Sequence, residues 1–317
     1  MSLSRRNFLG ISGGLIATSM LPSYAQSESD LFAKRGKFER LVLAMRRIKC
    51  GAEKPFSILH ISDTHLAAAY PEEGPDKVKV SKRRMKTFGG RQEEALRDSL
   101  EWAKKNVDYV LHTGDLIDFQ SKANFDLVKK YYGDIIFGPP GNHEFFTYMP
   151  DEKIVPTEEF KAKSWDILKK DFPADASFSS KIINGVNFIS MEDIFGTVRE
   201  EQVEKFHIEA KKGLPLILCM HVPFFSEDVS EYAAKFWRNH GRKYGEVVKR
   251  AMQGDFKRQM EDPTTSKFID YLKKEKALKA ILCGHTHITS ENDFSPTTKQ
   301  YVIGGNFMFH GQEILFS

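Results

Sequence analysis

Phe56-Ser57-Ile58-Leu59-His60-Ile61-Ser62-Asp63-Thr64-His65 is the stretch on which the fold turns. Residues 56–62 form a short apolar run that reads as a strand. Two side chains able to bind metal, Asp63 and His65, follow where that strand ends. Working outward, the same arrangement recurs along the chain. The run 107–113 leads into Gly114-Asp115, and 134–137 leads toward Gly141-Asn142-His143-Glu144. The run 214–220 leads into His221, and 278–283 leads into Gly284-His285-Thr286-His287. A further apolar run spans 186–191.

Between these runs lie helical patterns over 91–106, 122–131, 158–172, 200–212 and 264–276. In the first, Ala95, Leu96, Ser99, Leu100 and Ala103 share one face, with charges opposite. Alternation of this kind specifies a layered α/β architecture. Beyond Ile288 the pattern becomes strand-turn-strand over 288–293, 300–304 and 313–316, an antiparallel finish to a sheet. Residues 39–49 fit a helix through Phe38, Leu41, Val42, Met45 and Ile48, and a strand through alternate positions. The turn at 51–55 favours a strand paired with 56–62 as a hairpin-like entry. Segments 67–90 and 224–262 lack a strand-like core and each follows a chemistry-bearing motif, which favours lid or specificity loops.

The 317 residues suit one large domain or two ordinary ones. Hydrophobic residues at 41% and charged residues at 28% exclude intrinsic disorder and collagen-like structure. A formal net charge of +4 gives no global field of the kind a nucleic-acid binder carries. Three cysteines make no disulfide framework. Cys219 and Cys283 sit in apolar runs and read as buried, inert thiols.

The first 25 residues read as an address. Arg5 and Arg6 precede the apolar stretch 8–21, which at 14 residues is short of the roughly 20 needed to span a bilayer. Ser23-Tyr24-Ala25 offers a small-x-small cleavage site. The arginine pair followed by x-Phe-Leu resembles a bacterial twin-arginine signal, which implies the twin-arginine export machinery as a partner and a periplasmic or otherwise exported location. Such export delivers folded protein, with metal already inserted and Cys50, Cys219 and Cys283 left as free thiols. Residues 26–38 read as a polar tether, and 39–317 as one catalytic domain.

The five motifs supply two Asp, one Asn and five of the ten histidines. Imidazole and carboxylate suit Zn, Fe, Mn and Ni. No cysteine takes part, which excludes a thiolate zinc site. At the carboxyl ends of strands in an α/β sheet, such residues converge in one crevice. Residues i and i+2 at a strand end point the same way, so Asp63 and His65, or His285 and His287, can meet one ion or two neighbours. The glycines at 114, 141 and 284 let the chain turn sharply. His60 and His112 lie inside strands and read as core histidines. His207 reads as a helix-face residue, and His240 and His310 as loop or terminal residues.

The ordered set D-x-H, G-D, G-N-H-E, H and G-H-x-H, running from about Phe56 to His287, resembles the calcineurin-like metallophosphoesterase superfamily. The resemblance implies a four-layer α/β/β/α sandwich of two mixed sheets and two divalent transition-metal ions. It implies that Asp63, His65 and His287 hold the first ion, that Asn142, His221 and His285 hold the second, and that Asp115 bridges them. His143 would face the leaving group without binding metal. Asp118 stands where purple acid phosphatases carry a Tyr, so their Tyr-to-iron colour is not expected. Glu144 stands where many relatives have Asp, a change not expected to disturb the metals.

Two cations roughly 3.5–4 Å apart clamp phosphate oxygens and generate hydroxide from water at neutral pH. Hydrolysis of a phosphodiester or phosphomonoester follows, and the sequence offers no P-loop or Gly-x-Ser-x-Gly elbow for covalent chemistry. The rival readings are a non-catalytic scaffold of the same fold, disfavoured by the complete ligand set, and a nuclease. The nuclease needs a basic groove with stacking aromatics, and only the local clusters at 82–84 and 238–243 point that way. A small-molecule phosphate ester is the expected partner. Arg84, Arg91, Tyr232, Trp237 and Arg238 are candidate substrate contacts, and no transmembrane segment is expected.

Overall fold

The computed structural model describes residues 41–317 apart from 132, 134, 135, 173, 174, 240 and 241. The twin-arginine signal and the tether therefore lie outside the described residues. The strands in chain order are β1 (Val42–Ile48), β2 (Phe56–Ile61), β3 (Tyr109–His112), β4 (Ile136–Phe137), β5 (Phe178–Ile183), β6 (Val186–Met191), β7 (Leu216–Cys219), β8 (Leu278–Cys283), β9 (Ser290–Ser295), β10 (Thr298–Val302) and β11 (His310–Phe316). They form two sheets, ordered β1-β11-β2-β3-β4 and β5-β6-β7-β8-β10-β9. The helices are α1 (Pro75–Thr87), α2 (Gln92–Asn106), α3 (Lys122–Tyr131), α4 (Glu158–Asp171), α5 (Glu200–Ala210), α6 (Glu227–Asn239), α7 (Arg242–Glu261) and α8 (Pro263–Leu272).

The side-chain alternation of β2 shows how the layers arise. Phe56 and Ile58 enter a core cluster with Phe188, Ile217, Leu282 and Phe316, which fills the space between the two sheets. Leu59 and Ile61, on the opposite face, enter a cluster with Leu96, Leu100, Val128 and Leu168 of the helices. The outer face of the second sheet packs Leu216, Leu218 and Ile281 against Phe206, Val229, Phe256 and Phe268. The result is an α/β/β/α sandwich whose sheets are both mixed, as the superfamily resemblance implies.

The entry of the chain differs from the sequence expectation. β1 is a strand, but it does not pair with β2. β11 lies between them, parallel to β1 from Val42↔His310 to Ile48↔Phe316 and antiparallel to β2. Burial follows the order, and the charges of Arg46 and Arg47 suit β1 to the edge. β11 is buried along six of its seven residues, while β1 leaves Val42 54% exposed and tolerates the edge. The segments 67–90 and 224–262 also differ from the loops expected. The first contains α1 and the second contains α6 and α7. Strand β5, with its Ser-Ser-Lys centre, was not evident as an apolar run.

β2, β3 and β4 pair in parallel, and so do β6, β7 and β8. The five motifs follow the ends of β2, β3, β4, β7 and β8, so they gather at one edge of the sandwich. Cys50, Cys219 and Cys283 are buried and unbridged. Among the described residues, no helix is long and apolar enough to cross a membrane.

Candidate metal centre

Asp63, His65, Asp115, His285 and His287 all adopt left-handed backbone, with φ between 54° and 67°. Non-glycine residues rarely occupy this region, and doing so costs on the order of 1 kcal/mol each. Parallel strand ends alone therefore do not aim these side chains. Each one leaves its strand and is turned by a strained residue. Of the three motif glycines, only Gly114 uses positive φ, at 92°. Gly141 and Gly284 are there for closeness. A Cβ at Gly141 would lie 2.3 Å from Asp115 Oδ1, and one at Gly284 would overlap the Ser62 hydroxyl and lie 2.5 Å from Asp63 Oδ2.

Among the described residues, three groups of possible ligand atoms converge. One of them, His65, Asp118 and His143, is the hydrogen-bonded cluster around Asp118, and the other two share a carboxylate. Asp63, His65, Asp115 and His287 form one, and Asp115, His221 and His285 form the other, with Asp115 common to both. His65 Nε2 lies 3.1 Å from His287 Nε2, and His287 Nε2 lies 3.3 Å from Asp63 Oδ1. In the second set His221 Nε2 is 3.2 Å from Asp115 Oδ2, from Asn142 Oδ1 and from His285 Nδ1. All eight motif side chains named by the sequence thus meet at one place. Asp63, His65, Asp115 and His221 are buried, while Asn142, His143, His285 and His287 are partly exposed and form the open side.

The far nitrogens of the imidazoles explain why the near ones are available. His221 Nδ1 donates to the Thr113 carbonyl at 2.7 Å, which turns Nε2 toward the centre. Burial lowers the pKa of this ring, but Asp115 outweighs it and raises it to about 10, so a cation binding there takes the place of a proton. His65 Nδ1 donates to Asp118 Oδ1 at 3.0 Å, and His285 Nε2 donates to Asp255 Oδ2 at 3.0 Å. Backbone amides hold the carboxylates. His285 N–H donates to Asp63, and His143 N–H donates to Asp115 Oδ1 at 2.9 Å. Glu144 points away from the ligand atoms. It accepts from the amides of Asp115, Ile117 and Gly141 at 3.0, 3.1 and 2.7 Å, and so ties two ligand loops together.

His143 is placed differently. Its Nδ1 lies 3.0 Å from both the Asp118 carbonyl and Asp118 Oδ1, and its Nε2 is 4.0 Å from Asp115 Oδ2. Arg84 of α1 grips the other side of Asp118 with Nε and Nη2, the latter at 2.9 Å from Oδ1. The Arg84 guanidinium also lies 4.4 Å over the Tyr148 ring. Phe88 stacks on His65 with centroids 4.0 Å apart, and Phe307 packs edge-on to His287 at 5.2 Å.

Electrostatics follow from this crowding. Burial pushes the Asp115 carboxyl up, but the His221 and His143 imidazoles outweigh it and hold it well below the usual carboxylate range. Burial opposes ionisation of Asp118 too, and the Arg84 guanidinium together with the His143 and His65 imidazoles more than compensates. Burial draws His65 down to about 4, which favours the neutral ring a ligand needs. Burial also pulls His143 down, yet the Asp115 and Asp118 carboxylates overcome it and hold the imidazole above its ordinary value. Glu144 is pushed up to about 7, by burial first and then by the charge of Asp115.

The suggested substrate contacts separate. Arg84 stands beside the centre with its guanidinium engaged by Asp118. Trp237 is buried, donates from Nε1 to the Thr286 carbonyl at 2.9 Å, and packs 5.6 Å from the His287 ring. Arg91 pairs with Glu94 and lies over Phe309. Tyr232 is exposed on α6, and Arg238 caps the Ala234 carbonyl of its own helix. Asp255 was not singled out from sequence, because a lone Asp in a charged helix carries no pattern. His60 and His112 are core histidines, hydrogen bonded to Thr113 and Thr64 respectively. His240 lies outside the described residues.

The donor set fits divalent transition metals. Imidazole nitrogens face one another at 3.1 and 3.2 Å, a placement that a shared cation or proton makes favourable, and two buried carboxylates stand beside them. Fold and site together define a metal-dependent phosphoester hydrolase. The family model for calcineurin-like phosphoesterases matches residues 56–289, and the chain belongs to that family.

No curated protein matches the chain. Solved structures similar to it include the following. A dimetal phosphatase from Danio rerio is 12% identical, with 80% of this chain and 88% of that one covered and a TM-score of 0.45. A putative 5'-nucleotidase from Staphylococcus aureus is 14% identical over 80% and 49%, with a TM-score of 0.39. The calcineurin-like phosphoesterase YfkN from Bacillus subtilis is 12% identical over 80% and 82%, with a TM-score of 0.38.

Proposed function

We propose that the protein hydrolyses small phosphate esters with two divalent ions, one held by Asp63, His65, His287 and Asp115 and the other by Asn142, His221, His285 and Asp115. The observation that carries this reading is the pair of ligand sets sharing Asp115, with His143 at their open side. Two such ions supply Lewis acidity toward phosphate oxygens and lower the pKa of water.

The chain's own residues do the rest. Asp115 is the one carboxylate in both sets, so its charge offsets cation repulsion. Asn142 contributes a neutral amide oxygen. His143 holds a proton at Nε2, because Nδ1–H is committed to Asp118 and the neighbouring carboxylates keep the ring protonated above its ordinary value. That proton is available to the leaving oxygen. Phe88, Phe307 and Trp237 pack against the ligand histidines and limit water around them.

The test is hydrolysis of bis-p-nitrophenyl phosphate and p-nitrophenyl phosphate by metal-stripped protein reloaded with Mn²⁺. Metal-dependent release of nitrophenolate supports the reading, and the preferred ester assigns it as a diesterase or a monoesterase. Inactivity on both with two ions bound contradicts it and favours a scaffold. For location, the Arg5-Arg6-x-Phe-Leu start supports export of the folded protein by the twin-arginine route. Substituting both arginines by Lys and fractionating cells tests it, and unchanged export sinks it.

A further inference from the structure

The far nitrogens of His65 and His221 are held by groups from the loops that carry the ligand motifs, Asp118 and the Thr113 carbonyl. The far nitrogen of His285 is held from elsewhere. Its partner, Asp255, sits on α7, inside the helix pair α6–α7 inserted between His221 and the Gly284–His287 loop. We propose that Asp255 is a positioning residue for His285, and through it for the ion held by Asp115, Asn142, His221 and His285.

The geometry around Asp255 is that of a fixed carboxylate. It is 7% exposed. One oxygen, Oδ1, accepts from Arg258 Nη1 at 3.0 Å, three residues along the same helix. The other, Oδ2, is left for His285 Nε2. With Nε2 committed as a donor, Nδ1 is the lone pair, and it is Nδ1 that lies 3.2 Å from His221 Nε2. The opposite tautomer would turn an N–H toward the centre and leave two acceptors facing each other at Asp255.

The helix that carries Asp255 is itself anchored. Met252 and Phe256 are buried in the outer core of the second sheet. Gln259 accepts from the Phe225 amide and donates to the Pro223 carbonyl. The Asp255 backbone rests on Gly196, where a Cβ would come 2.5 Å from the Asp255 carbonyl oxygen. From α6, Trp237 donates to the carbonyl of Thr286, between the two ligand histidines. The helix pair thus grips the Gly284–His287 loop at two points, and Asp255 is the one that selects a tautomer.

This inference rests on the two-ion reading above, so the experiment separates them. Metal-free full-length protein is titrated calorimetrically with Mn²⁺, and with Co²⁺ followed by its visible spectrum. The wild type is expected to bind two ions. Asp255→Ala is expected to weaken one binding step about 10–100-fold and leave the other near the wild-type value. Asp255→Asn, whose amide oxygen still accepts from Nε2–H, is expected to recover much of that loss. Met252→Ala, which loosens the same helix without touching His285, is expected to lower Tm and leave both steps intact. Asp255→Ala with unchanged binding overturns the proposal, as does equal weakening of both steps, or a Met252→Ala profile matching that of Asp255→Ala. A wild-type titration that saturates at one ion overturns the two-ion reading instead.

Discussion

Asp118 Oδ1 stands 3.0 Å from His143 Nδ1, and the same oxygen stands 3.0 Å from Nδ1 of the ligand His65. On the proposed reading, one carboxylate therefore orients a metal ligand and the proton donor, with Arg84 fixing it from behind. Asp118→Asn removes the anion that helps hold His143 protonated. Turnover is expected to fall about 10–100-fold. The alkaline limb of the kcat–pH profile should move to lower pH, because the folded imidazole then loses its proton earlier. A limb that stays in place contradicts the assignment.

His143→Ala should leave both ions bound, since neither ligand set contains this residue's atoms. Turnover should drop by about 10²–10⁴. The loss should be larger for an alkyl phosphate ester than for a nitrophenyl ester, whose leaving group needs no proton. Equal losses for both esters would remove His143 from the acid role.

The buried histidines give a stability prediction. Burial holds both His60 and His112 down to about 3, against an ordinary value near 6.5. Their neutral rings are locked by hydrogen bonds, Gln312 Nε2 to His60 Nδ1 and His112 with Thr64, whose hydroxyl hydrogen goes to Asn306. Between pH 6.5 and about 3 the unfolded chain binds two protons that the folded chain refuses. Stability from this source is complete above pH 6.5 and lost as pH falls through that window, at roughly 1–1.5 kcal/mol per pH unit for each imidazole. Urea unfolding at pH 7.5 and 5 measures the slope. His60→Gln should flatten it by one proton's worth.

Lys161 and Glu192 form an ion pair with side chains 1% and 0% exposed, joined at 3.0 and 3.1 Å. Lys161→Met leaves the buried Glu192 carboxylate with Arg199 Nη1 at 3.3 Å and the Ile194 amide, and should cost up to about 3–5 kcal/mol. Replacing both, with Glu192→Leu, should recover much of that loss. If the double variant is no more stable than the single one, the ion pair is not the source of the cost.

Much of the centre was legible because metal chemistry restricts residue types. Asp-x-His, Gly-Asp, Gly-Asn-His and Gly-His-x-His at strand ends leave few other readings, and all eight side chains do converge. What stayed hidden was set by space rather than by pattern. Nothing in the sequence marks the left-handed backbone of Asp63 or His285, which arises from crowding around the ligands. Asp255 lies 30 residues before His285 on a helix where Glu246, Lys249, Arg250, Lys257 and Glu261 are exposed. The periodicity of Val229, Ala233 and Trp237, at four-residue steps, does announce α6 once a helix is looked for. α1 was harder, since only Val80 and Ser81 among its residues are buried. The place of β1 could not be read locally, because its partner β11 lies at the far end of the chain.

The central claim is that one carboxylate, Asp115, serves two ions. The most direct test is metal content by mass spectrometry of wild-type and Asp115→Asn protein after Mn²⁺ loading and buffer exchange, with bis-p-nitrophenyl phosphate hydrolysis on the same samples. Two ions per chain in the wild type, fewer than one in the variant, and loss of nearly all hydrolysis are the predicted result. A variant that keeps two ions and wild-type turnover would contradict the shared-carboxylate account.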